Sequence, residues 1–203
     1  SLLSVDSWKL RTGRLTDDDF SKIGGVMDEL NSMKIFIDDS VGGSIAELKA
    51  KARRLKMESG LDVLIIDYLQ LMSGSSNSSY GSNRVQEISE ISRSLKALAR
   101  DLSIPILALS QLSRAVELRP SKIPQLSDLR ESGAIEQDAD VVLMMYREDY
   151  YEEDTERKGV TDVYIRKHRN GPIGHIELSF KKEQMKFVDV EKSRKFEDYA
   201  ISE

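Results

Sequence analysis

The chain of 203 residues contains no cysteine, which excludes a disulfide framework and a thiolate metal site. It contains two histidines, His168 and His175, so a zinc site is not expected. No apolar run approaches the roughly 18 residues that span a bilayer. The first residues lack the charged region and the long apolar core of a signal peptide. These absences predict a cytosolic protein without a membrane partner.

The composition is that of an ordinary globular protein, with a hydrophobic fraction of 39% and a charged fraction of 32%. Its length suits one large domain. The net charge of −5 argues against a protein that coats a polyanion. A local basic groove remains compatible with this charge, because nucleic-acid binding depends on where the cations lie.

Apolar runs alternate with amphipathic stretches, which is typical of an α/β fold with a mostly parallel sheet and flanking crossover helices. Helix starts are predicted at Thr16 and at Ser44, and an apolar stripe at helical spacing predicts a further helix over residues 85–102. Strands are predicted at residues 34–38, 61–67, 104–110 and Val141–Tyr146. We expect the last three strands to be buried on both faces, since each is an almost continuous apolar run.

The last part of the chain predicts a different arrangement. Asn170-Gly171 is a strong hairpin signal between two runs of alternating character, so we expect an antiparallel hairpin over about residues 161–190. A tract rich in glycine, serine and asparagine at residues 73–83 cannot build a core. We interpret this tract as a mobile loop.

Polar side chains end two neighbouring strands of the predicted sheet. Asp67 ends one strand and Gln111 follows the next, so both are expected at the carboxyl edge where open α/β sheets bind ligands. A carboxylate and an amide at this edge suit a nucleotide with Mg²⁺, which the carboxylate would hold through water. The alternative, that Asp67 caps its own loop, remains open at this point.

Cations are concentrated in two later segments. Residues 110–140 form a long polar segment without aromatic residues, which favours contact with a nucleic-acid backbone over base stacking. Lys167 and Arg169 alternate onto one side of a strand, where they could hold a phosphate, including one bound by another subunit. The alternatives are a solvated surface loop for the first segment and a charge-protected edge strand for the second.

Four motifs occur in order over about residues 10–190 and together resemble the motor domain of the DnaB family of bacterial replicative helicases: IIDYLQLM, EISRSLKALARDLSIPILALSQLSR, SDLRESGAIEQDAD and KHRNGPIG. The resemblance implies a RecA-like core and a homo-hexameric ring. It also implies hydrolysis of ATP, or another nucleoside triphosphate, with Mg²⁺ and movement along single-stranded DNA. A primase and a helicase loader are the expected protein partners.

The resemblance assigns roles at the nucleotide to four residues. Asp67 matches the Walker B aspartate, which holds Mg²⁺ through water, and Gln111 matches the polar residue that couples the nucleotide state to the DNA loops. Arg169 matches the arginine finger that reaches a neighbouring subunit's γ-phosphate, and Lys167 matches its companion cation. We therefore expect all four in the catalytic site.

The resemblance also implies DNA contacts. Arg130, Glu131 and Gly133 match the loop that meets the DNA backbone in the central channel of the ring. Arg114, in the same polar segment, is a further DNA-binding candidate.

The sequence departs from the family pattern in two respects. A phosphate-binding loop reads G-x-x-x-x-G-K-[ST], and this chain has no Gly-Lys pair. The family's catalytic glutamate lies upstream of the position that Asp67 matches, and Tyr68 follows Asp67. We expect residues 1–203 to be a partial motor domain that lacks the first strand, the P-loop and the glutamate, and that hydrolyses ATP negligibly alone. The alternatives are a RecA-like recombinase or related ATPase, and a non-catalytic module that binds DNA or a partner.

Overall fold

The computed structural model describes residues 5–40, 42–74, 84–129 and 133–190. The chain divides into two compact units. The larger unit comprises Ile37–Met144 and Tyr164–Gly174. The smaller unit comprises Ser1–Phe36, Met145–Val163 and His175–Glu203.

The smaller unit begins with two helices, α1 (Ser7–Thr12) and α2 (Asp17–Ser32). The predicted helix start at Thr16 is confirmed. The Thr16 hydroxyl accepts a hydrogen bond from the backbone N–H of Asp19, and the Asp19 carboxylate accepts one from the backbone N–H of Thr16. This reciprocal capping satisfies two N–H groups that the first helical turn leaves without intrahelical partners.

Within its described residues, the larger unit contains three α-helices and a pair of parallel strands. The helices are α3 (Ile45–Glu58), α4 (Arg84–Leu102) and α5 (Gly133–Asp138), and the strands are β1 (Leu64–Ile66) and β2 (Ile106–Ala108). The capping box predicted at Ser44 is present at the start of α3. The strands pair in parallel, with Leu64 opposite Ile106 and Ile66 opposite Ala108. Strand, helix and parallel strand therefore follow one another as the sequence pattern predicts.

The core of the larger unit lies between the apolar stripe of α4 and one face of the β1–β2 pair. Its buried members are Ile45, Ile66, Leu69, Met72, Ile88, Ile91 and Leu95. Leu64, Ile106 and Ala108 pack against this cluster from the strands. The helical spacing of the apolar residues in α4 thus positions the carboxyl edge of both strands.

The prediction that the strands are buried on both faces is wrong. The side chains of Ile65 and Leu107, which face each other across β1 and β2, are 60% and 53% exposed. Leu143, in the third predicted strand, is 53% exposed. Among the described residues, helices pack against only one face of the β1–β2 pair. An apolar run indicates that a strand can be buried, but burial itself depends on which neighbours pack against it.

The prediction of a strand at residues 34–38 is also wrong. This segment has no regular secondary structure, and Ile35, Phe36 and Ile37 are all exposed. A strand exists through hydrogen bonds to a neighbouring strand, and the described residues provide no such neighbour here.

The strands of the chain's last part are β3 (Val141–Tyr146), β4 (Val160–His168), β5 (Gly174–Lys181) and β6 (Lys186–Asp189). They form a sheet in the order β3-β4-β5-β6, in which β5 and β6 are antiparallel. The antiparallel hairpin predicted for this part of the fold is therefore confirmed, and its bounds of about residues 161–190 stay a prediction. The fold is mixed α/β, with a parallel strand pair and an antiparallel hairpin sheet.

A Cβ atom at Gly171, in the connection between β4 and β5, would meet the exposed ring of His168, so the ring would have to shift. The His168 ring in turn lies with its Nδ1 atom 3.2 Å from the carbonyl oxygen of Pro172. The hairpin signal at Asn170-Gly171 thus marks the tight part of this connection.

Most of the loop predicted at residues 73–83 lies outside the described residues. At its start, the backbone N–H of Gly74 donates to the Glu87 carboxylate at 2.8 Å. This hydrogen bond is the main reason that the pKa of Glu87 lies below its ordinary value. Across the ranges that the structure describes, none of the helices has the length and hydropathy to cross a membrane.

Candidate nucleotide and DNA sites

Asp67 lies directly after β1, at the carboxyl end of the parallel strand pair. Its side chain is exposed, and its peptide bond to Tyr68 is cis. Among the described residues, no hydrogen-bond or ion-pair partner of the Asp67 carboxylate is found. The loop-capping alternative therefore has no contact to support it. A carboxylate whose oxygens are free at a ligand-binding edge fits a hydrated Mg²⁺ ion, which commonly uses one or two protein carboxylates and keeps several waters.

Gln70 connects the ends of the two parallel strands, although the sequence analysis did not single it out. Its Nε2 atom donates to the Ser110 hydroxyl at 3.0 Å, and its Oε1 atom accepts from the backbone N–H of Gln111 at 3.2 Å. Gln111 is exposed. The structure therefore places Gln111 and Asp67 at the same sheet edge, as predicted. The signal for Gln70 was its position three residues after Asp67 within the otherwise apolar run IIDYLQLM.

The segment after β2 is ordered by one buried carboxylate. Asp128 is 5% exposed, and its Oδ2 atom accepts from Arg119 Nη2 at 2.7 Å and from the backbone N–H of Gln125 at 2.8 Å. Its carbonyl oxygen accepts from the backbone N–H of Ser113 at 2.9 Å. These bonds close the segment into a compact loop. Arg114 lies in this loop, next to Ser113, with its side chain exposed.

One of the predicted DNA-contacting residues, Gly133, lies at the beginning of α5. Gly133 is the first residue of this helix and is exposed, with open space around the position of a Cβ atom. Arg130 and Glu131 lie outside the described residues. Their roles stay a prediction from the resemblance.

Lys167 and Arg169 lie together at the other end of α5. The Lys167 ammonium donates to the carbonyl oxygens of Glu136 and Gln137, the latter at 3.1 Å. Arg169 Nη2 donates to the same Gln137 carbonyl oxygen at 3.3 Å. The predicted alternation is thus confirmed, since both cations reach one group. They suit this end of the helix, where backbone carbonyls lack intrahelical partners and carry partial negative charge.

Asp140 provides the anion beside Arg169. Its Oδ1 atom lies 3.3 Å from Arg169 Nε, and its carbonyl oxygen accepts from the backbone N–H of Arg169 at 2.8 Å. Lys96 of α4 donates to the other carboxylate oxygen. That hydrogen bond, with the nearby charges of Lys96, Arg169 and Arg100, holds the pKa of Asp140 below its ordinary value. Asp140 therefore remains ionised at neutral pH. The sequence analysis did not single it out, since its role depends on contacts distant in sequence.

A separate cluster in the smaller unit has the composition of a metal site. Ligand atoms of Asp162, His175 and Glu177 lie within 4.8 Å of one another. However, Arg157 places Nη2 2.6 Å from Asp162 Oδ1 and Nη1 3.3 Å from Glu177 Oε1. A guanidinium is permanently charged, so it already neutralises these carboxylates and would repel a metal cation. We interpret the cluster as an ion-pair network.

Residues 1–189 match the family model described as DnaB-like helicase C terminal domain. The chain belongs to this family. As a DnaB-like helicase domain it has the RecA-like α/β fold implied by the motifs, and its relatives act in DNA replication.

Curated relatives support the same assignment. The domain is 51% identical over 198 residues to the replicative DNA helicase DnaC of Bacillus subtilis (strain 168), and 52% identical over 198 residues to the replicative DNA helicase DnaB of Geobacillus stearothermophilus. Each match covers 98% of this chain and 43% of the relative. The domain therefore spans less than half the length of these helicases.

Solved structures agree in fold. One of them, described as an ATPase domain, matches with a TM-score of 0.87 and 41% identity, over 94% of this chain and 67% of that chain. A DnaB-like replicative helicase, solved in a study of its interactions with primase, matches with a TM-score of 0.86 and 42% identity, over 94% of this chain and 47% of that chain. Both are more similar in sequence than a shared fold alone would require.

Proposed function

We propose that this domain is part of the ATP-driven motor of a hexameric replicative helicase, which moves along single-stranded DNA and unwinds duplex DNA at the replication fork. The observation that carries the proposal is the exposed carboxylate of Asp67 at the carboxyl end of β1, beside the parallel strand β2. Because the chain belongs to a helicase family, this carboxylate would take part in ATP hydrolysis. The structured loop after β2 and the cations at the end of α5 support the same proposal.

The proposed nucleotide site uses two residues of this edge. Asp67 would hold Mg²⁺ through water, and Mg²⁺ bound with ATP would supply neutralising charge to the β- and γ-phosphates. Gln111, whose backbone N–H donates to Gln70, would respond to the nucleotide state from the same edge. Because the Gln70 amide spans both strand ends, we propose that it keeps the spacing of the two polar groups constant.

Lys167 and Arg169 would act on a nucleotide bound by a neighbouring subunit. Both cations are held at the C-terminal end of α5, and two cations side by side suit an anion as highly charged as a γ-phosphate. Stabilising charge that develops on the transferring phosphoryl group is the usual role of such residues in phosphoryl transfer. This role requires the homo-hexamer.

The function is tested with the whole protein that contains this domain, in an unwinding assay on a forked DNA substrate. We expect strand separation that requires both ATP and Mg²⁺. Strand exchange without unwinding would instead indicate a recombinase. Binding of DNA or a partner without hydrolysis would indicate a non-catalytic module. For a bacterial replication motor, the expected compartment is the cytoplasm and the expected protein partners are a primase and a helicase loader.

Replacing Arg130 with alanine in the whole helicase is expected to weaken binding of single-stranded DNA equally for all sequences, because a phosphate contact carries no base information. The slope of log affinity against log salt concentration should become less steep by about 0.7, the value for one phosphate of a single strand. Fluorescence anisotropy with several oligonucleotides over a salt series measures both quantities.

The matched control for Arg130 is Arg54→Ala. Arg54 is an exposed arginine of α3 that pairs with Glu58 in the same helix, so its removal takes away the same charge elsewhere on the domain. We expect an unchanged slope for this variant. A loss confined to certain base sequences, with the slope of Arg130→Ala unaltered, would contradict the backbone contact.

A further inference from the structure

Helix α5 joins two of the proposed functional regions within the larger unit. It begins at Gly133, the last residue of the loop expected to contact DNA, and ends at Asp138. Its final carbonyl groups accept hydrogen bonds from Lys167 and Arg169. Gly133 therefore lies about one helical turn from the Gln137 carbonyl oxygen that holds the two cations.

Asp140 holds Arg169 near the end of α5. A guanidinium has five N–H donors in a rigid plane. Its Nε atom forms an ion pair with the Asp140 carboxylate at 3.3 Å, and its Nη2 atom donates to the Gln137 carbonyl oxygen at 3.3 Å. These two contacts hold the guanidinium between Asp140 and Gln137 and leave further donors for a phosphate. Without the carboxylate, the long arginine side chain would keep one of these two contacts.

The helix and the carboxylate are themselves anchored to α4. Lys96 pairs with the Asp140 carboxylate, and the Ser92 hydroxyl donates to Asp138 at 2.8 Å. Helices α4 and α5 also pack against each other. Asp140 is thus held from one side by a lysine while it orients an arginine on the other.

We infer that Asp140 is a positioning residue for Arg169, the cation proposed to act on the neighbouring nucleotide. The inference rests on the proposed function, because it presupposes that Arg169 acts in hydrolysis. It extends that function by naming the group that positions the finger.

The test uses Asp140→Asn in the whole helicase, with kcat and KM for ATP measured with and without saturating single-stranded DNA. A misplaced catalytic group can lose on the order of 10²-fold in rate, and one of two holding contacts remains here. We therefore expect the DNA-stimulated kcat to fall about tenfold. KM for ATP and the dissociation constant for single-stranded DNA should stay within about twofold, because Asp140 is proposed to act only through Arg169.

Two further variants separate positioning from a general structural effect. Asp101→Asn is the matched control, since Asp101 is 49% exposed and pairs with Arg53, while Asp140 is 54% exposed and pairs with Arg169. It should leave kcat unchanged. In an Arg169→Ala background, Asp140→Asn should cause no further loss, because residues that act through one group are not additive. Asp140→Glu, which keeps the charge, should recover part of the rate.

The outcomes distinguish this inference from the proposed function. An Arg169→Ala helicase that is inactive, together with an Asp140→Asn helicase as fast as the unchanged protein, would overturn the inference and leave the function standing. An equal loss from Asp140→Asn with and without Arg169 would also overturn it, since the effect would not pass through the arginine. A fully active Arg169→Ala helicase would overturn the proposed role of the finger and this inference with it.

Discussion

Replacing Asp67 with asparagine is expected to abolish Mg²⁺-dependent ATP hydrolysis by the whole helicase while leaving the fold intact. The amide has nearly the shape of the carboxylate but no charge, so it cannot balance a hydrated divalent cation. Removing one preorganised electrostatic stabiliser typically lowers kcat by on the order of 10²–10³-fold. Steady-state ATPase measurements at saturating Mg²⁺ and single-stranded DNA test this expectation.

The control for this variant lies at the other end of the same strand. Asp62 is exposed and precedes β1, so Asp62→Asn removes an equal charge from the edge that does not bind ligands. We expect its kcat to be unchanged. Both substitutions are at exposed positions, and each should alter the free energy of unfolding by no more than about 0.5 kcal/mol. Unchanged kcat in Asp67→Asn would show that the carboxylate has no part in hydrolysis.

Local signals in the sequence predicted the local structure well. The capping pairs at Thr16 and Ser44 involve residues three positions apart, so the information needed to start α2 and α3 lies within one helical turn. The stripe in α4 likewise depends only on spacing along one helix. These elements appear in the structure where the pattern predicts them.

The failures concern contacts that spacing does not encode. Ile35 belongs to a run with strand composition, yet a strand requires a partner and the described residues place none beside it. Ile65 and Leu107 are apolar and were expected to be buried, but α4 covers only the opposite face of their strands. Composition shows whether a segment can form a strand or be buried. Whether it does so depends on the strands and helices that the rest of the fold places beside it.

The residues of the candidate site also divide into those whose position the sequence pattern predicts and those that depend on distant contacts. Asp67 and Gln111 could be predicted because parallel strands bring their carboxyl ends to one edge. The role of Asp140 could not be predicted, because it depends on contacts with Lys96 and Arg169, which lie far from it in sequence. Such a role can be recognised only from the folded structure, in which the three charged side chains are in contact.

Replacing Arg169 with alanine is expected to lower the ATPase rate of the helicase ring by about 10³-fold or more, the usual cost of removing an arginine finger. Nucleotide binding should suffer much less, because the finger acts on charge that develops in the transition state. The fold should survive. Arg169 and Asp140 are 47% and 54% exposed, and an exposed ion pair contributes only about 0–1 kcal/mol.

The matched control is Arg93→Ala. Arg93 is an exposed arginine of α4 whose Nε donates to the Ser89 carbonyl oxygen in the same helix. Its removal takes the same charge from the larger unit without touching α5, and we expect the rate to be unchanged. Stopped-flow binding of a fluorescent nucleotide, measured beside ATPase activity, separates the loss of affinity from the loss of rate.

Action across a subunit boundary is tested by mixing two inactive variants, Arg169→Ala and Asp67→Asn. In a mixed ring, some interfaces combine an intact Asp67 from one subunit with an intact Arg169 from the next. Where one interface can turn over without its neighbours, those interfaces should recover measurable ATPase activity that neither variant shows alone. Such recovery would establish that Arg169 serves the neighbouring nucleotide. Full activity of a ring made only of Arg169→Ala subunits would instead reduce Arg169 to a surface charge paired with Asp140.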